Sequence, residues 1–318
     1  MANDRIEELL KYQGSSPKPE DFDAYWERAL KELEAQSLDY ELVAADFQTP
    51  MAECYHLYFT GVGGARVHAK YVKPRAAQGK GPGLALFHGY HSGSGDWSDK
   101  AAYAAHGITV LAMDCRGQGG LSEDHLTVKG TTLKGHIIRG VDEDNPDKLY
   151  YRNVFLDLVQ TVRILMSMEQ VDPERIGAHG CSQGGALTIA CAALEPRVAL
   201  AIPVYPFLSD YQKAWEMDVT ISAYEELAYY FRFMDPLHRT QEAFFNKLGY
   251  IDVQNLADRI RAKVVFVTGL ADTVCPPYTQ FAAYNKMASD KELVVYHEYG
   301  HEYLPFLSDR VLEEMLKL

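Results

Sequence analysis

The 318-residue sequence is poor in cysteine, in long apolar runs and in clustered positive charge, and each shortage excludes a class of protein. Cys54, Cys115, Cys181, Cys191 and Cys275 are odd in number and follow neither a disulfide framework nor a zinc-ligand spacing, so a reduced, cytoplasmic protein is expected. No run of about 18 or more consecutive apolar residues occurs, which argues against a membrane span. Asp4-Arg5-Ile6-Glu7-Glu8-Leu9-Leu10 is charged and helix-like rather than a basic-then-apolar export signal. The 31 Lys and Arg face 44 Asp and Glu, a formal charge of −13 with no basic run. A nucleic-acid partner, which needs clustered cations, is not expected. Internal repeats and low-complexity tracts are also missing.

What is present is a 47% hydrophobic chain, able to bury a large core as one domain over residues 1–318. Residues 19–35 read as an amphipathic helix with Phe22, Trp26, Ala29, Leu30 and Leu33 on one side, within an N-terminal extension of about 1–45. Alternating segments 53–60 and 66–72, joined by Gly61-Val62-Gly63-Gly64, predict an antiparallel hairpin. Short apolar runs at 83–87, 108–113, 175–178, 198–204, 263–268 and 292–296 have the length of buried parallel strands. Helix-like stretches lie between them, the clearest at 153–168. The alternation predicts an α/β fold with a mostly parallel, doubly wound sheet. Residues 207–256 exceed a plain crossover and suggest a helical insertion.

Gly180-Cys181-Ser182-Gln183-Gly184 stands between a strand-like and a helix-like segment. In that context G-x-S-x-G forms a nucleophile elbow, a turn so tight that side chains at the flanking glycines would collide with the backbone. A free hydroxyl keeps its proton at neutral pH, so Ser182 needs a base. On this fold the partners follow in the order serine, carboxylate, histidine, at strand ends. Asp272, after the 263–268 run, is the expected orienting acid, and His301, after the last strand, the expected base. Taken singly, an Asp there is often a turn former and a loop His a surface residue; the shared order is what distinguishes them. A rival reading is His297-Glu298-Tyr299-Gly300-His301, which matches the zinc-binding H-E-x-x-H motif. That motif requires a helix, whereas β-branched residues precede His297 and Gly300 opposes helix formation. For the oxyanion of acyl transfer, the N–H groups of Gln183 and of Tyr90, in Phe87-His88-Gly89-Tyr90-His91, are the expected donors.

Arg116-Gly117-Gln118, Gly180-Cys181-Ser182-Gln183-Gly184 and His301-Glu302 together resemble the three signature motifs of the family 7 carbohydrate esterases, the acetyl xylan esterases and cephalosporin C deacetylases. The resemblance spans nearly the whole chain and shows no departure at a motif position. It implies an α/β-hydrolase with Ser182 as nucleophile, His301 as base, Asp272 as acid, and Tyr90 and Gln183 as oxyanion donors. It further implies a metal-free, cofactor-free homohexamer acting on short acetylated substrates. Arg116 is expected to be structural, fixing loops through several hydrogen bonds, with Gly117 and Gln118 in the same motif and Glu302 pinning the histidine loop. Cys181 is expected to point away from substrate. Of the aromatics Tyr205, Phe207, Tyr211, Trp215, Tyr229, Tyr230, Phe231 and Phe233, most are expected to pack together rather than stack on sugars, with Tyr90 and Tyr205 reaching the pocket. A serine peptidase, a zinc hydrolase on His297 and His301, and a non-catalytic scaffold are the competing classes.

Overall fold

The computed structural model describes residues 2–76, 79–130, 134–219 and 222–318. Among the described residues nine strands form one sheet: β1 (Tyr40–Ala44), β2 (Ala52–Thr60), β3 (Arg66–Pro74), β4 (Gly81–Phe87), β5 (Thr109–Met113), β6 (Val171–Cys181), β7 (Leu200–Val204), β8 (Lys263–Gly269) and β9 (Lys291–Tyr296). Their order is β1-β2-β3-β5-β4-β6-β7-β8-β9. β5, β4, β6, β7, β8 and β9 run parallel, and β1, β2 and β3 add an antiparallel edge. This is the α/β-hydrolase fold, and the six parallel strands are the six apolar runs of the sequence.

β1 was not expected. All five of its residues are exposed, so it carries no alternation to read. Its place is fixed by the ladder with β2, from Tyr40 opposite Phe59 to Ala44 opposite Tyr55. β6 begins earlier than the apolar run because Val171 still pairs with Gly81. The register then slips by three residues, since the next pair is Gly83 with Ile176. Pro173, which has no N–H for a ladder, lies in the slipped stretch.

Period-two alternation divides the core between the two faces. Ala85, Phe87, Leu111 and Met113 join one cluster with helices Phe22–Glu34, Tyr150–Ser167 and Gln183–Leu194. Leu84, Leu86 and Val110 join the other with Ala104 and with Val311 and Met315 of the C-terminal helix. Tyr150–Ser167 is buried nearly all round, more than its amphipathic pattern alone predicts. The reason is the second layer: Trp26 stacks on Phe155 at 5.8 Å between ring centroids, and Glu32 pairs with Arg152 at 2.6 Å. Phe22, Tyr25, Trp26, Ala29 and Leu33 are the buried residues of that outer helix; Leu30 is only half-buried.

Between β7 and β8 lie helices Tyr211–Glu216, Glu225–Phe233 and Gln241–Leu248, followed by short 3₁₀ turns. Phe231, Phe244, Phe245 and Trp215 make mutual ring contacts there, with centroids 5.1–5.8 Å apart. Core packing thus accounts for most of the aromatics of this segment, Phe233 excepted, which is exposed.

Candidate active site

Ser182 sits at the junction of β6 and helix Gln183–Leu194 with φ 60° and ψ −119°. A non-glycine residue there is strained, and the surroundings hold it: its N–H donates to the Val204 carbonyl at 2.9 Å, and its carbonyl accepts from Phe207 N at 3.1 Å. The flanking glycines are required by close approach. A Cβ on Gly180 would lie 2.4 Å from the Phe87 carbonyl oxygen, and one on Gly184 only 2.1 Å from the same atom. The obstacle is therefore the end of β4, the neighbouring strand.

Asp272, 4% exposed, lies in the turn after β8. Its Oδ1 accepts from the N–H groups of Val274 and Cys275, both at 2.8 Å. Its Oδ2 accepts from Gln280 Nε2 at 3.3 Å and from His301 Nδ1 at 2.9 Å. Because a carboxylate only accepts, the imidazole proton resides on Nδ1 and leaves Nε2 free to take a proton. Ser182 and His301 line one cleft of about 420 Å³, with Gly89, Tyr90, His91, Ala223, Glu225 and Val274. The hydroxyl, the imidazole and the carboxylate behind it thus share one rim of the sheet.

The first N–H of a helix has no carbonyl four residues earlier to bond, so the Gln183 N–H beside Ser182 is unclaimed within its helix. The Gln183 side chain is fully buried and heavily engaged: Oε1 accepts from Tyr151 Oη at 2.8 Å and from Gln118 Nε2 at 2.9 Å. Its Nε2 donates to Gln118 Oε1 at 3.2 Å and to the His88 carbonyl at 3.3 Å. Gln118 Oε1 also accepts from His91 N at 3.0 Å. Gly117 takes φ 59°, which turns the chain so that Gln118 reaches inward. Arg116, 1% exposed, grips Asp157 with Nε at 2.5 Å and Nη2 at 2.7 Å, while Tyr150 Oη donates to its carbonyl.

His88 fixes the loop from beneath. Its Nε2 accepts from Cys115 N at 2.9 Å, so Nδ1 is the protonated nitrogen and donates to the Gly89 carbonyl at 2.7 Å. Burial holds its pKa below the usual histidine value, which keeps this neutral form. The Tyr90 hydroxyl donates to Glu226 Oε1 and accepts from His136 N, both at 2.7 Å. Tyr205 is absent from the cleft lining. Its ring packs on His301 at 4.5 Å, and its hydroxyl donates to the Glu302 carbonyl at 3.2 Å. Exposed Glu302 accepts from Gly300 N at 3.0 Å, closing the histidine turn.

Cys181 lines a different cleft, with Lys100, Tyr103 and His179. His297 begins the turn after β9 and is exposed, so the H-E-x-x-H pentapeptide is not helical and its histidines lack the i, i+4 placement that a shared zinc would need. Sequence reasoning missed Glu226, Tyr151 and Asp157, buried polar partners supplied by distant segments, and Gln280, which follows Asp272 by only 8 residues. It also missed Cys275, whose thiol burial pushes well up, with the Asp272 charge adding and a Ser182 hydrogen bond opposing.

The acetyl xylan esterase (AXE1) family model matches residues 1–317. The chain belongs to that family. Acetyl xylan esterase 1 from Thermoanaerobacterium sp. JW/SL YS485 superposes with a TM-score of 0.96 at 52% identity, covering 98% of both chains. The acetyl xylan esterase from Paenibacillus sp. R4 gives 0.92 at 34% identity, again over 98% of each. Acetyl esterase Axe7A of Xylanibacter ruminicola is 28% identical over 91% of this chain, which spans 64% of that curated relative's length.

Proposed function

We propose that this member of the family is a serine esterase that removes acetyl groups from small acetylated sugars through an acetyl-enzyme. One observation carries the reading: an elbow serine and an Asp272-tethered imidazole open onto the same cleft. His301 Nε2 takes the Ser182 proton as Oγ bonds to the ester carbonyl carbon. The oxyanion that forms faces the N–H groups of Gln183 and Tyr90. Collapse breaks the bond to the sugar oxygen, which leaves with the proton from His301. Water then adds to the acetyl-enzyme by the same route, and acetate departs. Asp272 holds the imidazole tautomer throughout and stabilises the imidazolium.

The substrate range proposed is acetylated xylo-oligosaccharides, acetylated monosaccharides and cephalosporin C. A cleft of about 420 Å³ suits a short acyl group on a small alcohol. The reading includes one domain over residues 1–318, a cytoplasmic location and a homohexamer, to which exposed Phe233, Leu237, Tyr303 and Phe306 offer apolar contact surface. Among the described residues no helix is long and apolar enough to cross a membrane. Ser182→Ala tests the chemistry: acetate release from all three substrate classes should vanish while the melting temperature holds, and survival of most activity would falsify the assignment.

A further inference from the structure

Behind the cleft a carboxyl group that the acyl-transfer steps do not use is almost completely buried. Glu226, on helix Glu225–Phe233, is 1% exposed. Its Oε1 accepts from the Tyr90 hydroxyl at 2.7 Å and its Oε2 from Ile138 N at 3.0 Å. The segment before Ile138 passes so near that a Cβ on Gly135 would meet Oε1 at 2.4 Å. His136 N donates to the same tyrosine oxygen at 2.7 Å. One carboxyl group therefore fastens three segments: the 87–91 loop, the 135–138 strap and the helical segment between β7 and β8.

The loop it fastens is strained. His91, next to Tyr90, has φ 60°, a region that non-glycine residues adopt only when their surroundings enforce it. Enforcement comes from two sides. Gln118 accepts the His91 N–H, and Glu226 holds the Tyr90 ring through its hydroxyl. The Tyr90 peptide is thus held on both sides, by the His91 N–H bond that follows it and by the hydroxyl at the tip of its own side chain.

We propose that Glu226 is a positioning residue for acyl transfer: through the Tyr90 hydroxyl it aims the Tyr90 N–H at the developing oxyanion. This rests on the esterase reading above. An oxyanion donor acts on the transition state rather than on bound substrate, so misaiming it lowers kcat and leaves KM nearly constant.

The test compares wild type, Glu226→Ala, Glu226→Gln, Tyr90→Phe and the Glu226→Ala/Tyr90→Phe double variant on p-nitrophenyl acetate, with melting temperatures alongside. Losing a whole oxyanion donor typically costs about 100- to 1,000-fold, so misaiming one should lower kcat by about 10- to 100-fold in Glu226→Ala and in Tyr90→Phe. KM should move less than about threefold in both. Both act on one link, so the double variant should fall no further than the worse single. Glu226→Gln can hold both partners only by inverting the first link, its amide N–H donating to the tyrosine oxygen while its oxygen accepts from Ile138 N; the ring stays tethered and most of kcat should return. An unchanged kcat in Tyr90→Phe, an effect confined to KM, or losses that multiply in the double variant would each overturn the proposal. Should Glu226→Ala fail to fold, Tyr90→Phe and Glu226→Gln decide alone. Wild type that neither hydrolyses the ester nor labels with a serine-directed phosphonate would remove the esterase reading and this inference together. Active wild type with an unaffected Tyr90→Phe removes the inference only.

Discussion

Gln118 and Gln183 face each other as a reciprocal amide pair, Nε2 of each donating to Oε1 of the other at 2.9 and 3.2 Å. One follows Arg116-Gly117 and the other follows Ser182, 65 residues on. The pair binds the loop after β5 to the start of the elbow helix, and Gln118 reaches further to the His91 N–H. The two loops proposed to supply oxyanion donors thus meet at one side chain.

Gln118→Ala should accordingly lower kcat far more than it raises KM. The truncation removes one partner from each end of the Gln183 amide, which keeps Tyr151 and the His88 carbonyl, and it releases the His91 N–H. Relaxation of the strained His91 backbone is the expected outlet. Steady-state kinetics on an acetyl ester check this; a kcat within twofold of wild type would mean the pair is dispensable for chemistry.

The partner motif residue, Arg116, should act on stability. Both it and Asp157 are at most 1% exposed, and their bidentate contact is the main compensation for burying either charge. Arg116→Met strands the carboxylate and should cost about 3–5 kcal/mol of stability. Adding Asp157→Leu removes the stranded charge and should restore much of the loss. Denaturant unfolding of the two variants makes the comparison, and a double variant no better than the single would contradict it.

How much of this was legible in the sequence depends on how far each partner lies along the chain. The six parallel strands announce themselves as apolar runs, and the elbow, Asp272 and His301 follow from strand ends and order. Glu226 is invisible by the same logic: it stands 136 residues from Tyr90, on a helix whose pattern places it among ordinary surface acids. Only the fold-back of the segment between β7 and β8 brings it under the 87–91 loop. Tyr205 shows the opposite case. Its position after β7 was readable, yet its contact with the imidazole ring is set by how the histidine turn closes.

Glu226 also gives a pH signature. Burial pushes its pKa up from 4.5 to about 8, while hydrogen bonds from Tyr90 and from the Ile138 and Ile137 N–H groups pull it down and the Glu225 charge raises it. The phenols of Tyr151 and Tyr211, on adjoining elements, are buried and feel the same carboxylate. A raised folded-state pKa means the native state binds more protons than the unfolded one between the two values. Stability from this group is therefore complete below about pH 4.5 and is lost as pH rises through about 8. Glu226→Gln removes that loss. Its melting temperature should gain on wild type steadily across this window and level off above it; a constant difference would show that Glu226 does not titrate there.

Cys181 adjoins Ser182, but its thiol is pushed up to about 11, first by burial, and it faces the cleft with Lys100 and Tyr103. A thiol is a poor nucleophile until ionised. Cys181→Ala should keep most of kcat, and iodoacetamide at neutral pH should leave the activity in place.

The two histidines of the H-E-x-x-H pentapeptide offer the sharpest contrast between motif and geometry. His301 is tied to Asp272 and half-buried in the cleft, whereas His297 is exposed at the start of the turn after β9. If they shared a zinc ion, replacing either would abolish activity and a chelator would do the same. If His301 serves a serine nucleophile, His301→Ala should lower kcat by about four orders of magnitude or more, in line with loss of a triad base. His297→Ala should then remain close to wild type, and activity should persist after dialysis against EDTA. Equal damage from the two substitutions, with recovery on added zinc, would overturn the serine mechanism and restore the metal reading.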